Sequence, residues 1–224
     1  MNKRLIGIVG KSGSGKSTSI RTLDPKSTYI INVLGKALPF KGSEKLYNKE
    51  AKNLADISSY DQIITILQKI SSDRPDIKTV VLEDVGYTMF IEEFKRSNEA
   101  GYNKFSDMAN HFFQIMQAAK NCREDLNIVF MFHENMEMKD GYGITKEIKL
   151  GGKMIKEKFS PEENLTCILY TKVNYDPVAK KADYTFVTNT TDTHPGKSPM
   201  GMFDDIEIPN DLDFVINKAN EYYA

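Results

Sequence analysis

Gly10-Lys11-Ser12-Gly13-Ser14-Gly15-Lys16-Ser17-Thr18 is the stretch whose residue types and spacing together dictate a chemistry. Gly10, Gly15, Lys16 and Ser17 satisfy G-x-x-x-x-G-K-[ST], the pattern of a P-loop, which wraps a phosphate in its own backbone N–H groups. Glycines at 10, 13 and 15 let the chain turn at little steric cost. Lys16 is placed to reach the β and γ oxygens of a triphosphate, and the Ser17 hydroxyl to hold Mg²⁺. The residues from Gly10 to Thr18 are therefore expected to bind a nucleoside triphosphate with Mg²⁺.

A second constellation supports the first. Lys78 to Asp84 reads as a short apolar strand that ends in two carboxylates, Glu83 and Asp84. An acid at the tip of a buried parallel strand beside the first one can hold the metal or polarise an attacking water, the part a Walker B acid plays. Either acid can take the metal, because apolar residues flank both. A third strand, Asn127 to Phe132, brings His133 to its end, where it either senses a γ-phosphate or caps the strand.

These residues need a scaffold that brings strand ends together. Leu5 to Val9 supplies the strand that must feed the loop, and Ser17 to Thr22 the first turns of a helix whose positive end faces the phosphate. Ser27 to Val33 reads as a further strand and Gly35 to Gly42 as a loop. Lysine-rich Ser43 to Ala55 reads as solvated surface. Ser59-Tyr60-Asp61-Gln62 has the form of a capping box before Ile63, Ile64, Leu67 and Ile70, and Arg74-Pro75 closes that helix. Helices are expected over Met89–Asn98, Asp107–Cys122 and Asp211–Tyr223. The stripe Met108, Phe112, Ile115, Met116 and Ala119 is core packing. Leu165 to Val173 and Asp183 to Asn189 are expected to pair as an antiparallel hairpin.

Asn135 to Ser160 differs in character. It carries six lysines, among them Lys149, Lys153 and Lys156, and glycines at 141, 143, 151 and 152. Such a loop can follow a nucleic-acid backbone, but Glu137, Asp140, Glu147 and Glu157 interleave with the lysines, so a solvated surface is the other reading.

Composition bounds the rest. The 224 residues are 40% hydrophobic and 27% charged, the balance of one globular α/β domain over residues 1–224. With a net charge of -1, any nucleic-acid contact must be a local patch. Cys122 and Cys167 have no metal-like spacing, which fits a reducing, cytoplasmic compartment. The apolar run after Lys3-Arg4 is too short for a signal peptide, and no stretch reaches bilayer-spanning length.

The order of these elements resembles the RecA-like core ATPases encoded by phages, in particular their small annealing proteins. The resemblance rests on the loop at 10–18, VVLEDVGYTM at 80–89, IVFMFHE at 128–134, LGGKM at 150–154 and PGKSPMGMF at 195–203. It implies an α/β P-loop NTPase: a RecA-like, mostly parallel sheet flanked by helices and extended by a C-terminal antiparallel hairpin. It further implies an ATPase with ATP and Mg²⁺ as cofactors. Such a protein assembles as a homo-oligomer on single-stranded DNA, with nucleotide between subunits, in the host cytoplasm. Lys197, before Ser198-Pro199, looks like the lysine that reaches a neighbouring subunit's ATP. One departure stands out: RecA-like enzymes carry an activating glutamate just after the second core strand, whereas here Leu34-Gly35-Lys36 follows, with no acid until Glu44. Hydrolysis then falls to Glu83 and Asp84, or is slow, with ATP as an assembly switch. A phage nucleotide kinase and a non-catalytic ATP-binding module are the alternatives.

Overall fold

A computed structural model describes residues 2–139, 143–151 and 160–224, with the side chains of 137–139 and 143–145 left out of the description. The strands are β1 (Leu5–Val9), β2 (Thr28–Asn32), β3 (Leu54–Asp56), β4 (Thr79–Glu83), β5 (Asn127–Phe132), β6 (Glu134–Lys139), β7 (Gly143–Ile148), β8 (Cys167–Asp176), β9 (Lys181–Val187) and β10 (Glu207–Pro209). The helices are α1 (Ser43–Leu46), α2 (Tyr60–Asp73), α3 (Tyr87–Lys95), α4 (Asn103–Lys120), α5 (Pro161–Asn164) and α6 (Leu212–Tyr222). No described helix is long and apolar enough to cross a membrane.

Eight strands form one sheet in the order β10-β9-β8-β1-β5-β4-β2-β3. From β8 to β3 every neighbouring pair is parallel, so the carboxyl ends of six strands share one edge. The expected hairpin is present: β9 runs antiparallel to β8, from Tyr170↔Val187 to Asp176↔Lys181, and β10 is antiparallel to β9. The amino end of β9 and the carboxyl end of β10 therefore come to the same edge as the P-loop. In an open α/β sheet that edge is where ligands bind.

The central strands β1, β4 and β5 are buried on both faces, which explains their near-continuous apolar sequences. Successive side chains point to opposite faces. Leu5 and Val9, Val80 and Leu82, and Ile128, Phe130 and Phe132 pack with Leu67 of α2 and Phe112, Ile115 and Met116 of α4. Ile6 and Ile8, Val81, Val129 and Met131 pack on the other side with Ile20, Phe203 and Leu212, Val215 and Ile216 of α6. The stripe on α4 is thus core, as its spacing indicates.

Several local expectations are corrected. β4 does not lie beside β1; β5 is inserted between them, pairing with both. Residues 43–55 are not wholly solvated surface, since Tyr47 is buried and β3 adds a parallel edge strand through Ile30↔Leu54. Part of the basic loop is the separate hairpin β6–β7, paired from Glu134↔Ile148 to Lys139↔Gly143. The capping box at Ser59 is not made: its hydroxyl bonds Asp61 and caps no backbone N–H. At the other end of the chain the Asp211 carboxylate does cap α6, accepting from Phe214 N at 3.0 Å.

Candidate functional site

Two glycines of the loop are required for different reasons. Gly15 has φ +91°, in the left-handed region that side chains avoid. Gly10 has an ordinary φ, but a Cβ there would stand 1.8 Å from Thr171 Oγ1 and 2.5 Å from Ser14 Oγ. The Thr171 hydroxyl on β8 donates to Ser14 Oγ at 2.6 Å, and Ser14 Oγ donates to Lys11 O at 2.7 Å. Gly10 and Ser14 therefore sit behind the loop and fasten it to the sheet. Lys11, Ser12, Gly13, Gly15, Lys16, Ser17 and Thr18 line the cleft in front. Ser17–Thr22 is a tight six-residue 3₁₀ helix rather than the start of a longer α-helix, so it brings less dipole to the cleft than expected.

The carboxylates converge under Lys16. Its ammonium lies 3.1 Å from Glu83 Oε1 and 2.7 Å from Asp84 Oδ1. Consecutive strand residues should face opposite ways. Asp84 escapes this because its φ is +55°, a left-handed conformation rare outside glycine, asparagine and aspartate. The turn lies just past β4, where Val85 N bonds Met131 O at 3.2 Å and Tyr87 N bonds Asp84 O at 2.9 Å. Both acids thus face the cleft, although the sequence left the choice between them open. The Ser17 hydroxyl donates to Glu83 Oε1. Asp84 is also met by His133 Nε2 at 3.0 Å and by Lys36 Nζ at 2.8 Å.

Lys16, Glu83 and Asp84 are 4%, 4% and 1% exposed. Burial opposes the charge on Asp84, yet the hydrogen bond from His133 and the Lys16 ammonium hold its carboxyl well below the usual range. Burial likewise opposes the charge on Lys16, and Glu83 and Asp84 overcome it, so the ammonium's pKa is raised. Asp84 is thus ionised and Lys16 protonated, ready to exchange partners.

The oxygens of Ser17, Glu83 and Asp84 form a hard donor set of the type Mg²⁺ takes. Glu83 Oε2 and, nearby at the end of β2, Asn32 Oδ1 are buried and accept no hydrogen bond from the described residues. Unsatisfied buried oxygens are costly, and a cation or its water shell would satisfy them. The residues present therefore fit the metal.

The cleft has a volume of about 550 Å³, within the range of small-molecule sites. Beyond the phosphate loop it is lined by Arg21, Asp183, Tyr184 and Asn210, none of which the sequence reading selected. Asn210 donates to Gly15 O at 3.2 Å and accepts from Arg21 Nη1 at 2.9 Å. Lys36, Ala37, Leu38 and Pro39, after β2, line the opposite wall.

Two sequence-selected lysines lie elsewhere. Lys197 is exposed outside this cleft: its backbone pairs with Ile168 and its Nζ donates to Glu162 O at 2.8 Å. Lys149 is exposed next to the acidic centre. Its N–H donates to His133 O at 2.8 Å, and its ammonium lies 5.9 Å from the Tyr87 ring and 5.6 Å from the Phe90 ring. Lys153 and Lys156 fall outside the described residues.

Compared with known proteins, the chain matches the AAA domain family over residues 2–200. No curated protein matches it. The match spans most of the sequence, and the chain belongs to that family of nucleotide-binding ATPases.

Proposed function

We propose that this chain binds Mg²⁺·ATP in the cleft, hydrolyses it, and couples turnover to single-stranded DNA in recombination or annealing. The observation that carries the nucleotide reading is the ion pairing of Lys16 with Glu83 and Asp84. When a triphosphate enters, its β and γ oxygens compete for the Lys16 ammonium, whose departure opens the acidic pair to the metal. Ser17, Glu83 and Asp84 would hold that metal, which would supply neutralising charge to the phosphates. Whichever carboxylate faces the γ-phosphate orients the attacking water, and His133 fixes Asp84 in place. Of the five arginines only Arg21 lines the cleft, which disfavours a kinase with an arginine-clamped acceptor.

Lys149 with Tyr87 and Phe90 supports the DNA reading. The sequence showed no aromatic set in the basic segment; the fold supplies one from α3. A cation beside two half-buried rings suits backbone charge and base stacking together. The backbone bond from Lys149 to His133 ties that surface to the acidic centre. Lys197, exposed and away from this chain's own cleft, would leave its bond to Glu162 O to serve the nucleotide of a neighbouring subunit in a homo-oligomer.

ATP turnover with and without single-stranded DNA, at two salt concentrations, tests this reading. Stimulation that fades as salt rises supports it, because phosphate contacts are displaced by counterions. Turnover indifferent to DNA refutes the coupling and leaves a DNA-independent ATPase.

A further inference from the structure

We infer that Lys36 is a catalytic residue that contacts the γ-phosphate of the nucleotide bound in its own chain. The inference rests on the nucleotide reading above. Just after β2, the Lys36 ammonium turns into the site: it is 2.8 Å from Asp84 Oδ2, while Lys16 holds Oδ1 of the same carboxylate. Two ammoniums on the two oxygens of one carboxylate are close neighbours. A phosphate oxygen held by Lys16 therefore lies within the sweep of the flexible four-carbon stem of Lys36.

The two lysines differ in freedom. Lys16 is buried, but the Lys36 side chain is 60% exposed and lines the cleft. Its backbone is fixed: Asn32 Nδ2 donates to Lys36 O at 2.7 Å, and Gly35 makes the preceding turn at φ +61°. A pinned backbone with a mobile side chain suits a cation that changes partners.

Charge decides which partner it takes. Without nucleotide, two lysines neutralise two buried acids. A metal held by Glu83 and Asp84 would make the ammonium of Lys36 surplus there, and the γ-phosphate would be the strong anion open to it. In hydrolysis the water oxygen forms a bond to the γ-phosphorus, the bond to the bridging oxygen breaks with its electron pair leaving on ADP, and the water proton passes to the released phosphate. Lys36 remains protonated throughout and donates hydrogen bonds to the γ oxygens.

Calorimetric titration of Mg²⁺·ADP and Mg²⁺·ATPγS into wild type, Lys36→Ala and Lys36→Arg tests this, with single-turnover hydrolysis as a second readout. Lys36→Ala is expected to keep its ADP affinity and to lose roughly 10- to 100-fold of its preference for ATPγS, the loss of a hydrogen bond between charged groups. Lys36→Arg should keep much of that preference, and hydrolysis should slow in Lys36→Ala. An unchanged ATPγS-to-ADP ratio in Lys36→Ala overturns the inference while leaving the nucleotide site standing. A parallel fall for both nucleotides also overturns it, since Lys36 would then support the site as a whole. Failure of the wild type to bind either nucleotide refutes the underlying reading instead.

Discussion

Replacing Lys16 with methionine removes an ammonium from beneath two buried carboxylates, so the nucleotide-free protein should lose stability as well as its ligand. Removing one partner of a buried ion pair costs roughly 3–5 kcal/mol, because the other charge is left uncompensated. Here the lower end applies. Asp84 keeps Lys36 and His133, and Glu83 keeps the Ser17 hydroxyl. About 3 kcal/mol in a chain of this size corresponds to a melting temperature lower by roughly 6–12 °C.

The pH dependence follows from Asp84. Its folded pKa lies below its unfolded value, so its stabilising contribution is present above about pH 4 and is lost as pH falls further. Without Lys16 that pKa rises, and acid relieves the unpaired charge. Melting curves at pH 7.5 and near pH 4.5, without nucleotide, should show the gap between Lys16→Met and wild type narrowing in acid. Adding Glu83→Gln and Asp84→Asn to Lys16→Met should recover most of the loss at pH 7.5. If Lys16→Met melts within about 2 °C of wild type at that pH, a shift of less than ~1 kcal/mol, the cluster is not a coupled ion-pair network.

Other outcomes follow from single contacts. Gly10→Ala should cost about 1–3 kcal/mol through its collision with Thr171, and adding Thr171→Ala should return part of that stability in denaturant unfolding. Tyr184→Ala should weaken ATP about tenfold by loss of base stacking and leave inorganic tripolyphosphate unaffected, as competition binding would show. His194 has its pKa lowered to about 4 by burial and then by Lys146, whose Nζ is 2.8 Å from Nε2, with Lys172 adding and Glu207 opposing. Its stabilising effect is therefore complete above its unfolded pKa near 6.5 and lost as pH falls toward 4. His194→Gln should remove about 2 kcal/mol of the stability that wild type loses between pH 7 and pH 5.

What the sequence made legible is what local spacing encodes. The loop at 10–18, the strand feeding it, the acids ending β4 and the apolar face of α4 each follow from residues within a few positions of one another. Strand order does not: nothing in residues 78–132 announces that β5 inserts between β1 and β4. The joint presentation of Glu83 and Asp84 depends on a positive φ held by tertiary hydrogen bonds, which no alternation rule anticipates. Lys36, Tyr184 and Asn210 reach the cleft only because β2, β9 and β10 all turn at the same sheet edge. The lysine-rich composition of 43–55 hid β3, since three residues are too few to display a period. At Ser59, Asp61 competed for the hydroxyl that a capping box would have used.

Mg²⁺-dependent ATP binding and turnover, compared between wild type and a Glu83→Gln, Asp84→Asn variant, tests the central claim most directly. The wild type should hydrolyse ATP in a metal-dependent way, and the variant should still bind ATP through Lys16 without turning it over. Turnover in the variant equal to that of the wild type would contradict that claim.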